Sequence, residues 1–95
     1  MKIQCTPQFA TWIDALKDVT GRARNLARIG LLSEGHLGDH CYLADGVSKL
    51  RIDVGPGYSV YYTQRGRQWV MLLVGGDKGS QQRDIEKARE MARAL

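Results

Sequence analysis

Hydrophobic residues in the first third of the chain recur with the period of an α-helix, after a short strand predicted over residues 1–5. The pair Thr6-Pro7 suits a helix N-cap followed by the first turn, where the missing amide of proline costs nothing. The first helix is predicted to run to about Val19, with an apolar stripe at Phe9, Trp12, Ile13 and Leu16. Thr20 is predicted to cap a second helix, whose apolar face consists of Ala23, Leu26, Ala27 and Gly30.

Beyond residue 40 the period changes to two, which is typical of β-strands. A short strand is expected around residues 41–44, and residues 49–54 alternate strictly between polar and apolar side chains. Glycine-rich turns separate two further strands, over 58–64 and 69–74, of which the last is apolar on both faces. This pattern predicts an antiparallel meander of three or four strands.

The end of the chain is predicted to be helical. Gly75-Gly76 is expected to end the last strand, and Ser80 to cap a final helix with apolar residues at Ile85, Ala88, Ala92 and Leu95. The complete order predicts an α+β fold, in which a short strand and a helical hairpin pack on the meander together with the C-terminal helix. With 95 residues and 43% hydrophobic content, we expect one domain spanning residues 1–95.

Charge and composition narrow the class of protein only slightly. A net charge of +4 is consistent with an acidic or polyanionic partner. The longest apolar run, 69–74, is too short to cross a bilayer, and the first residues lack the apolar stretch of a signal peptide, so we expect a cytoplasmic protein. Cys5 and Cys41 lack metal-ligand spacing, and adding the neighbouring His40 gives too few ligands for zinc. We therefore expect no metal and no cofactor.

Three ordered motifs carry a resemblance to a known family. They are Gly-Val-Ser-Lys-Leu-Arg-Ile at 46–52, Gly-Pro-Gly-Tyr-Ser-Val-Tyr-Tyr at 55–62, and Val-Gly-Gly-Asp-Lys at 74–78, followed by Gln82 and Asp84-Ile85. Together with Arg-Ala-Arg at 22–24 and Gly-His-Leu-Gly-Asp at 35–39, they closely resemble the HigB-like branch of the RelE/ParE toxin superfamily. The resemblance covers essentially the whole chain. It implies a RelE-like fold, a type II toxin–antitoxin module with a neighbouring antitoxin, and ribosome-dependent cleavage of messenger RNA that arrests translation.

The resemblance also implies a catalytic set. Such cleavage needs no metal, because the ribose 2′-OH attacks its own phosphorus while cations stabilise the charge of the transition state. Arg51 is expected to clamp the phosphate and Lys78 to stabilise transition-state charge. Lys49, which projects to the same side of its strand as Arg51, would act as a base if neighbouring cations lower its pKa. Tyr58 would position the substrate if its hydroxyl reaches the site.

Further residues are expected to bind partners. Tyr61 would stack on a base, and Arg65, Arg67 and Arg83 would contact RNA through their charge. Antitoxin contacts are expected at the second helix, at Arg24, Arg28, Leu31 and Leu32. We expect a toxin–antitoxin hetero-oligomer and a monomeric free toxin. His36 and His40 lie in a glycine-rich loop outside the basic motif and are interpreted as bystanders.

One departure from the family pattern bears directly on activity. The family usually reads Gly-Tyr-Arg where this chain has Gly57-Tyr58-Ser59, and that arginine is taken to contact the scissile phosphate. Loss of one preorganised charge donor typically lowers a rate by about 10²–10³. Three alternatives therefore stay open: an active endoribonuclease, a non-catalytic ParE-like toxin that binds DNA gyrase, and an attenuated toxin that acts mainly as antitoxin partner and co-repressor.

Overall fold

The computed structural model describes all of residues 1–95 and confirms the predicted order of elements. The structure contains no helix with the length and apolar character of a membrane span. A single turn of 3-10 helix (Lys78–Ser80) leads into the last helix. The other elements are β1 (Lys2–Cys5), α1 (Pro7–Ala15), α2 (Val19–Ser33), β2 (His40–Ala44), β3 (Val47–Ile52), β4 (Tyr58–Arg65), β5 (Trp69–Asp77) and α3 (Gln81–Arg93).

The five strands form one mixed sheet in the order β1-β5-β4-β3-β2. Strands β2 to β5 pair antiparallel in sequence order, which confirms the meander and gives it four strands. Strand β1 adds to its edge by pairing parallel to β5, from Lys2 opposite Trp69 to Cys5 opposite Leu72. The predicted α+β class is therefore correct.

Different helices cover the two faces of the sheet. Helices α1 and α2 cover one face, where Phe9, Ile13 and Leu32 pack with strand residues that include Leu50, Val60 and Leu72. Helix α3 covers the other face through Ala88 and Ala92, which pack on Val47, Tyr61, Leu73 and Val74. Both Leu73 and Val74 face α3 because a register shift opposite Tyr61 and Tyr62 inserts one extra residue into β5. The last strand is thus apolar on both faces, as predicted.

The orientation of α2 differs from the prediction. The helix begins at Val19 and its N-cap is Asp18, whose carboxylate accepts a hydrogen bond from the amide of Gly21 at 3.0 Å, so Thr20 is not the cap. Asn25 and Leu32 are the buried side chains of this helix. The face predicted to be apolar, at Ala23, Leu26, Ala27 and Gly30, is exposed to solvent.

Strand β5 also continues through the two glycines that were expected to end it. Gly75 faces α1, where a Cβ atom would collide with the ring of Trp12, and Gly76 faces α3, where a Cβ would collide with Asp84 and Ser80. The glycines are therefore required for close packing rather than for chain termination. Ser80 occupies the N-cap position of α3, but its hydroxyl donates to the Asp84 carboxylate at 2.5 Å and does not cap the helix.

The two leucines at the end of α2 differ sharply in burial, and this difference predicts their contributions to stability. Leu32 is fully buried, whereas Leu31 is 44% exposed. Because truncation of a buried leucine leaves a cavity, Leu32→Ala should lower the free energy of unfolding by about 2–5 kcal/mol. Leu31→Ala should change it by less than about 0.5 kcal/mol. Urea unfolding followed by circular dichroism measures both, and equal effects would contradict this placement of α2.

Candidate active site

The end of the sheet that α3 leaves uncovered forms a polar cleft of about 340 Å³. It lies where β3 ends and β4 begins, next to the first turn of α3, which contributes Gln81. Arg51 and Lys78, two of the predicted catalytic residues, both line it. The remaining lining residues are Asp39, Ile52, Asp53, Gly57, Tyr58 and Ser59. The cleft thus contains two cations and two carboxylates.

Arg51 is held at the cleft by Asp39. Its guanidinium donates to the Asp39 carboxylate from Nε at 3.3 Å and from Nη2 at 3.1 Å, and this hydrogen bonding raises the pKa of Arg51. The Arg51 amide also donates to the Asp39 carbonyl at 2.9 Å. The Arg51 and Asp39 side chains remain 60% and 48% exposed. An exposed pair of this kind is weak, so an incoming anion can compete with Asp39 for the guanidinium.

Arg28, on α2, positions the backbone at this side of the cleft. Its guanidinium donates to three backbone carbonyls, those of Arg51 at 2.6 Å, Leu37 at 3.0 Å and Asp39 at 3.1 Å. These bonds tie α2 to the loop before β2 and to β3, and they hold the backbones of Asp39 and Arg51 together. The prediction that Arg28 binds an antitoxin is therefore corrected, because both Nη atoms of its guanidinium donate to carbonyls of this chain.

Lys78 reaches the cleft from the 3-10 turn that follows β5. Asp77 caps this turn by accepting a hydrogen bond from the Gly79 amide at 2.8 Å. The Lys78 side chain then extends over Gly57, where a Cβ atom would lie only 3.0 Å from the Lys78 Cε. Gly57 has a φ of 83°, which also favours glycine at this position. The turn between β3 and β4 therefore makes room for the lysine at the cleft.

Tyr58 borders the cleft, but its hydroxyl is not free for catalysis. The ring packs in the core below α1 and α2, edge to face with Trp12. The hydroxyl donates to the Asp18 carboxylate at 2.7 Å, and this bond raises the pKa of Tyr58 to about 12. Tyr58 thus connects β4 to the N-terminus of α2, and the predicted catalytic role is corrected to a structural one.

Residue 59 forms part of the cleft floor, where Ser59 is only 2% exposed. It pairs with Arg51 on β3 and with Gly76 on β5, so its side chain projects to the α3 side of the sheet. Tyr61, two residues further along this face, is fully buried beneath α3, and burial raises its pKa. The prediction that Tyr61 stacks on an RNA base is therefore wrong, because its ring is inaccessible.

The remaining predicted catalytic residue, Lys49, and the other predicted RNA contacts lie outside the cleft lining. Lys49 is half-buried on β3 and is not part of the lining. Arg65 and Arg67 are exposed at the hairpin between β4 and β5, at the opposite end of the sheet. Arg65 lies seven positions after Tyr58 along β4, a distance of about 24 Å. Arg83 is exposed in the first turn of α3, outside the lining.

The predicted antitoxin contacts on α2 differ in their exposure to solvent. Arg24 and Leu31 are exposed on α2 and available to a partner. Leu32 is fully buried against the sheet, so its assignment as an antitoxin contact is wrong.

The sequence prediction missed three polar residues of the cleft: Asp39, Asp53 and Gln81. Asp39 was part of a recognised motif, but its role depends on a contact with Arg51 across 12 positions of the sequence. The alternation in residues 49–54 placed Asp53 on the polar face, and this was a signal in the sequence for its role. Gln81 enters through the start of α3, which no local pattern relates to β3. No group of three or more His, Cys, Asp or Glu side chains is close enough together to hold a metal ion.

The carboxylate of Asp18 should contribute a pH-dependent part of the stability. The Gly21 amide, followed by the Tyr58 hydroxyl, lowers the pKa of Asp18 below its ordinary value of 3.8. A lowered folded-state pKa gives stability that is complete above the unfolded-state value and lost as the pH falls through the folded-state value. Asp18→Asn retains a good N-cap but removes the charge. It should lower Tm at neutral pH, and the difference from wild type should shrink below pH 3.8.

Thermal unfolding across this pH range is the measurement, with Asp14→Asn as control, since Asp14 is an exposed aspartate of α1 with no side-chain hydrogen bond or ion pair. A difference between Asp18→Asn and wild type that stays constant from neutral to acidic pH would show that the charge of Asp18 does not contribute.

Comparison with known proteins finds a relative along the whole chain. No protein-family model matches the sequence. An uncharacterized protein of Haemophilus influenzae is 40% identical over 95 residues, which cover 100% of this chain and 96% of that protein. Identity of this degree over nearly the full length of both proteins places them in one family. The chain therefore belongs to the same family as this Haemophilus influenzae protein.

Proposed function

We propose that the chain is the toxin of a type II toxin–antitoxin module, with a RelE-like fold of the HigB-like branch, and that it cleaves messenger RNA on the ribosome. The observation that carries the proposal is the cleft, because it brings Arg51 and Lys78 from separate motifs to one uncovered end of the sheet. Two cations beside an open groove suit a phosphodiester, and the resemblance of the motifs supplies the substrate class.

The groups in the cleft are sufficient for a metal-independent cleavage. The 2′-oxygen forms a bond to phosphorus and transfers its proton to the Asp39 carboxylate. The bond from phosphorus to the 5′-oxygen breaks, and the Lys78 ammonium donates a proton to that oxygen. Arg51 stabilises the charge on the non-bridging oxygens. The products are a 2′,3′-cyclic phosphate and a 5′-hydroxyl. Asp39 has gained the proton of the 2′-OH, and Lys78 has lost one to the 5′-oxygen.

Ser59 limits the expected rate of this reaction. In place of a long cation the floor of the cleft has a short, buried hydroxyl, and the lining carboxylates offset the charges of Arg51 and Lys78. The same observations favour a second candidate, in which the cleft binds its target without cutting it. That candidate is either a ParE-like toxin that binds DNA gyrase or an attenuated toxin that serves as antitoxin partner and co-repressor.

A cognate antitoxin neutralises the chain in a hetero-oligomer, the free toxin is a monomer, and both act in the cytoplasm. The exposed basic residues outside the cleft, among them Arg65, Arg67 and Arg83, supply further contacts to RNA on the ribosome.

The proposed cleavage predicts a difference between binding and cutting. Inducible expression without antitoxin should produce new messenger RNA 5′ ends inside translated reading frames. Arg51→Ala should lower their yield by about 10²–10³ and also weaken the binding of an RNA oligonucleotide that lacks the attacking 2′-OH. Asp39→Asn should lower the yield by at least about 10² but should not weaken that binding, because it removes a base and a negative charge together.

Lys87→Ala is the matched control for Lys78→Ala, since Lys87 is an exposed lysine on α3 outside the cleft. The control should leave the new ends unchanged, whereas Lys78→Ala should reduce them. Growth arrest with unchanged 5′ ends would contradict cleavage and support a non-catalytic toxin that binds DNA gyrase. The absence of any growth arrest would support the attenuated toxin. Arrest and new ends that persist in Arg51→Ala would show that the reaction does not use this cleft.

A further inference from the structure

Trp69 is a large aromatic residue that packs in neither core of the protein. It is partly exposed at the start of β5, on the face of the sheet that α3 covers in part, two residues before Met71. Met71 packs against the core beneath α3, whereas Trp69 belongs to neither hydrophobic cluster. It also takes no part in the ring contacts of the chain, which join Trp12 to Phe9 and Tyr58. The indole is therefore available to a ligand, as tryptophan often is at interfaces.

The strand pairing places one cation on each side of this ring. Trp69 is opposite Lys2 of β1 and opposite Arg65 of β4, so the three side chains project from the same face of the sheet. Neighbouring strands are about 4.8 Å apart, so the backbone of each cationic residue lies about 5 Å from that of Trp69. We name these three residues the Trp69 row. The row ends at β1, which is an edge strand, so its Lys2 side is open.

The cations of the Trp69 row are not neutralised within the chain. Lys2 and Arg65 are exposed, and neither forms an ion pair, since the ion pairs of the protein involve Asp39 and Asp45. The row thus combines an aromatic ring with free positive charge on both sides. An unpaired nucleic-acid base has the complementary character, because its π-face stacks on an aromatic ring and its phosphates bind cations. An acidic peptide would engage the cations but leave the ring unused.

We propose that Trp69 stacks on an unpaired base of RNA while Lys2 and Arg65 bind the flanking phosphates. The choice of RNA over DNA rests on the proposed function. The sequence predicted a contact through the charge of Arg65, and the strand register adds the ring and the second cation. Arg65 lies about 24 Å along β4 from the cleft residue Tyr58, so the row takes no part in cleavage. It holds a segment of RNA away from the scissile phosphodiester.

The first test follows the fluorescence of Trp69 while the purified chain is titrated with a 2′-O-methyl oligouridylate, which cannot be cleaved. Trp12→Phe keeps a ring at position 12 and leaves Trp69 as the single indole of the chain. A base stacked on the indole should quench its emission. The quenching should persist when Arg51→Ala is added to weaken binding at the cleft. Emission that does not respond to the oligonucleotide would overturn stacking at Trp69.

The second test measures the affinity of the Arg51→Ala chain for the same oligonucleotide, so that the cleft contributes little. Trp69→Ala should raise Kd about tenfold, because a stacked base is lost. Lys2→Ala and Arg65→Ala should each reduce the slope of log K against log salt concentration by about 0.7, the contribution of one phosphate contact with a single strand. A purely structural role of these residues would not change the salt dependence.

Two matched variants serve as controls. Tyr42→Ala removes an aromatic ring that is 65% exposed on β2, the opposite edge strand of the sheet. Arg24→Ala removes an exposed arginine of α2 that forms no ion pair. Both should leave the affinity and the salt slope unchanged. Thermal unfolding of every variant establishes that it is folded.

The outcomes separate the Trp69 row from the proposed cleavage. Changes confined to the variants of the row support the proposal, even in a chain that produces no new messenger RNA 5′ ends. Unchanged affinity and salt slope in all three variants would overturn it, and the new 5′ ends would still decide whether the chain is a nuclease. Tighter binding of an oligothymidylate would assign the row to single-stranded DNA instead. An oligoglutamate that binds as tightly as the oligonucleotide, and equally well after Trp69→Ala, would assign the cations to an acidic protein and contradict base stacking.

Discussion

The geometry of the cleft depends on the guanidinium of Arg28. A planar group with five N–H donors can bind several carbonyls at once, and here it binds those of Leu37, Asp39 and Arg51. The loop that precedes β2 contains two glycines, Gly35 and Gly38, and has no regular structure of its own, so these bonds determine where Asp39 lies relative to β3. The pairing of Asp39 with Arg51 follows from this arrangement. An arginine on the face of the sheet that α1 and α2 cover thus positions the polar groups on the opposite face, which α3 covers in part.

The second constraint is the extent of α3 across the sheet. Arg89 and Arg93 both donate to the Asp45 carboxylate, at 2.8 and 2.9 Å, and so attach the last turns of α3 to the turn between β2 and β3. From there the helix covers Val47 and Tyr61 and begins beside Gly76. The same face of β3 and β4 therefore contains both a packed core and an open cleft. Val47 and Tyr61 are buried on it, whereas Arg51, four residues after Val47, is open to solvent.

Local patterns in the sequence predicted the elements well because each has a clear period. The alternation in residues 49–54 correctly placed Leu50 and Ile52 in the core and Arg51 on the other face. Such patterns do not predict contacts between segments that are distant in the sequence. The sequence predicted functional roles for Tyr58 and Tyr61. In the structure, the Tyr58 hydroxyl donates a hydrogen bond to Asp18, and α3 covers the ring of Tyr61. For α2, periodicity identified an apolar face without indicating whether this chain or a partner covers it.

We propose that RNA binds at the open end of the sheet, between Asp39 and Lys78. The most direct test is a titration of the ¹⁵N-labelled chain with a short RNA oligonucleotide that lacks a reactive 2′-OH, followed by amide and arginine side-chain NMR signals. RNA binding at the cleft should produce the largest shifts at Arg51, Lys78 and Gln81, and the Arg51 Nε signal should change as phosphate replaces Asp39. Shifts centred on the hairpin of Arg65 and Arg67, with the cleft unaffected, would contradict it.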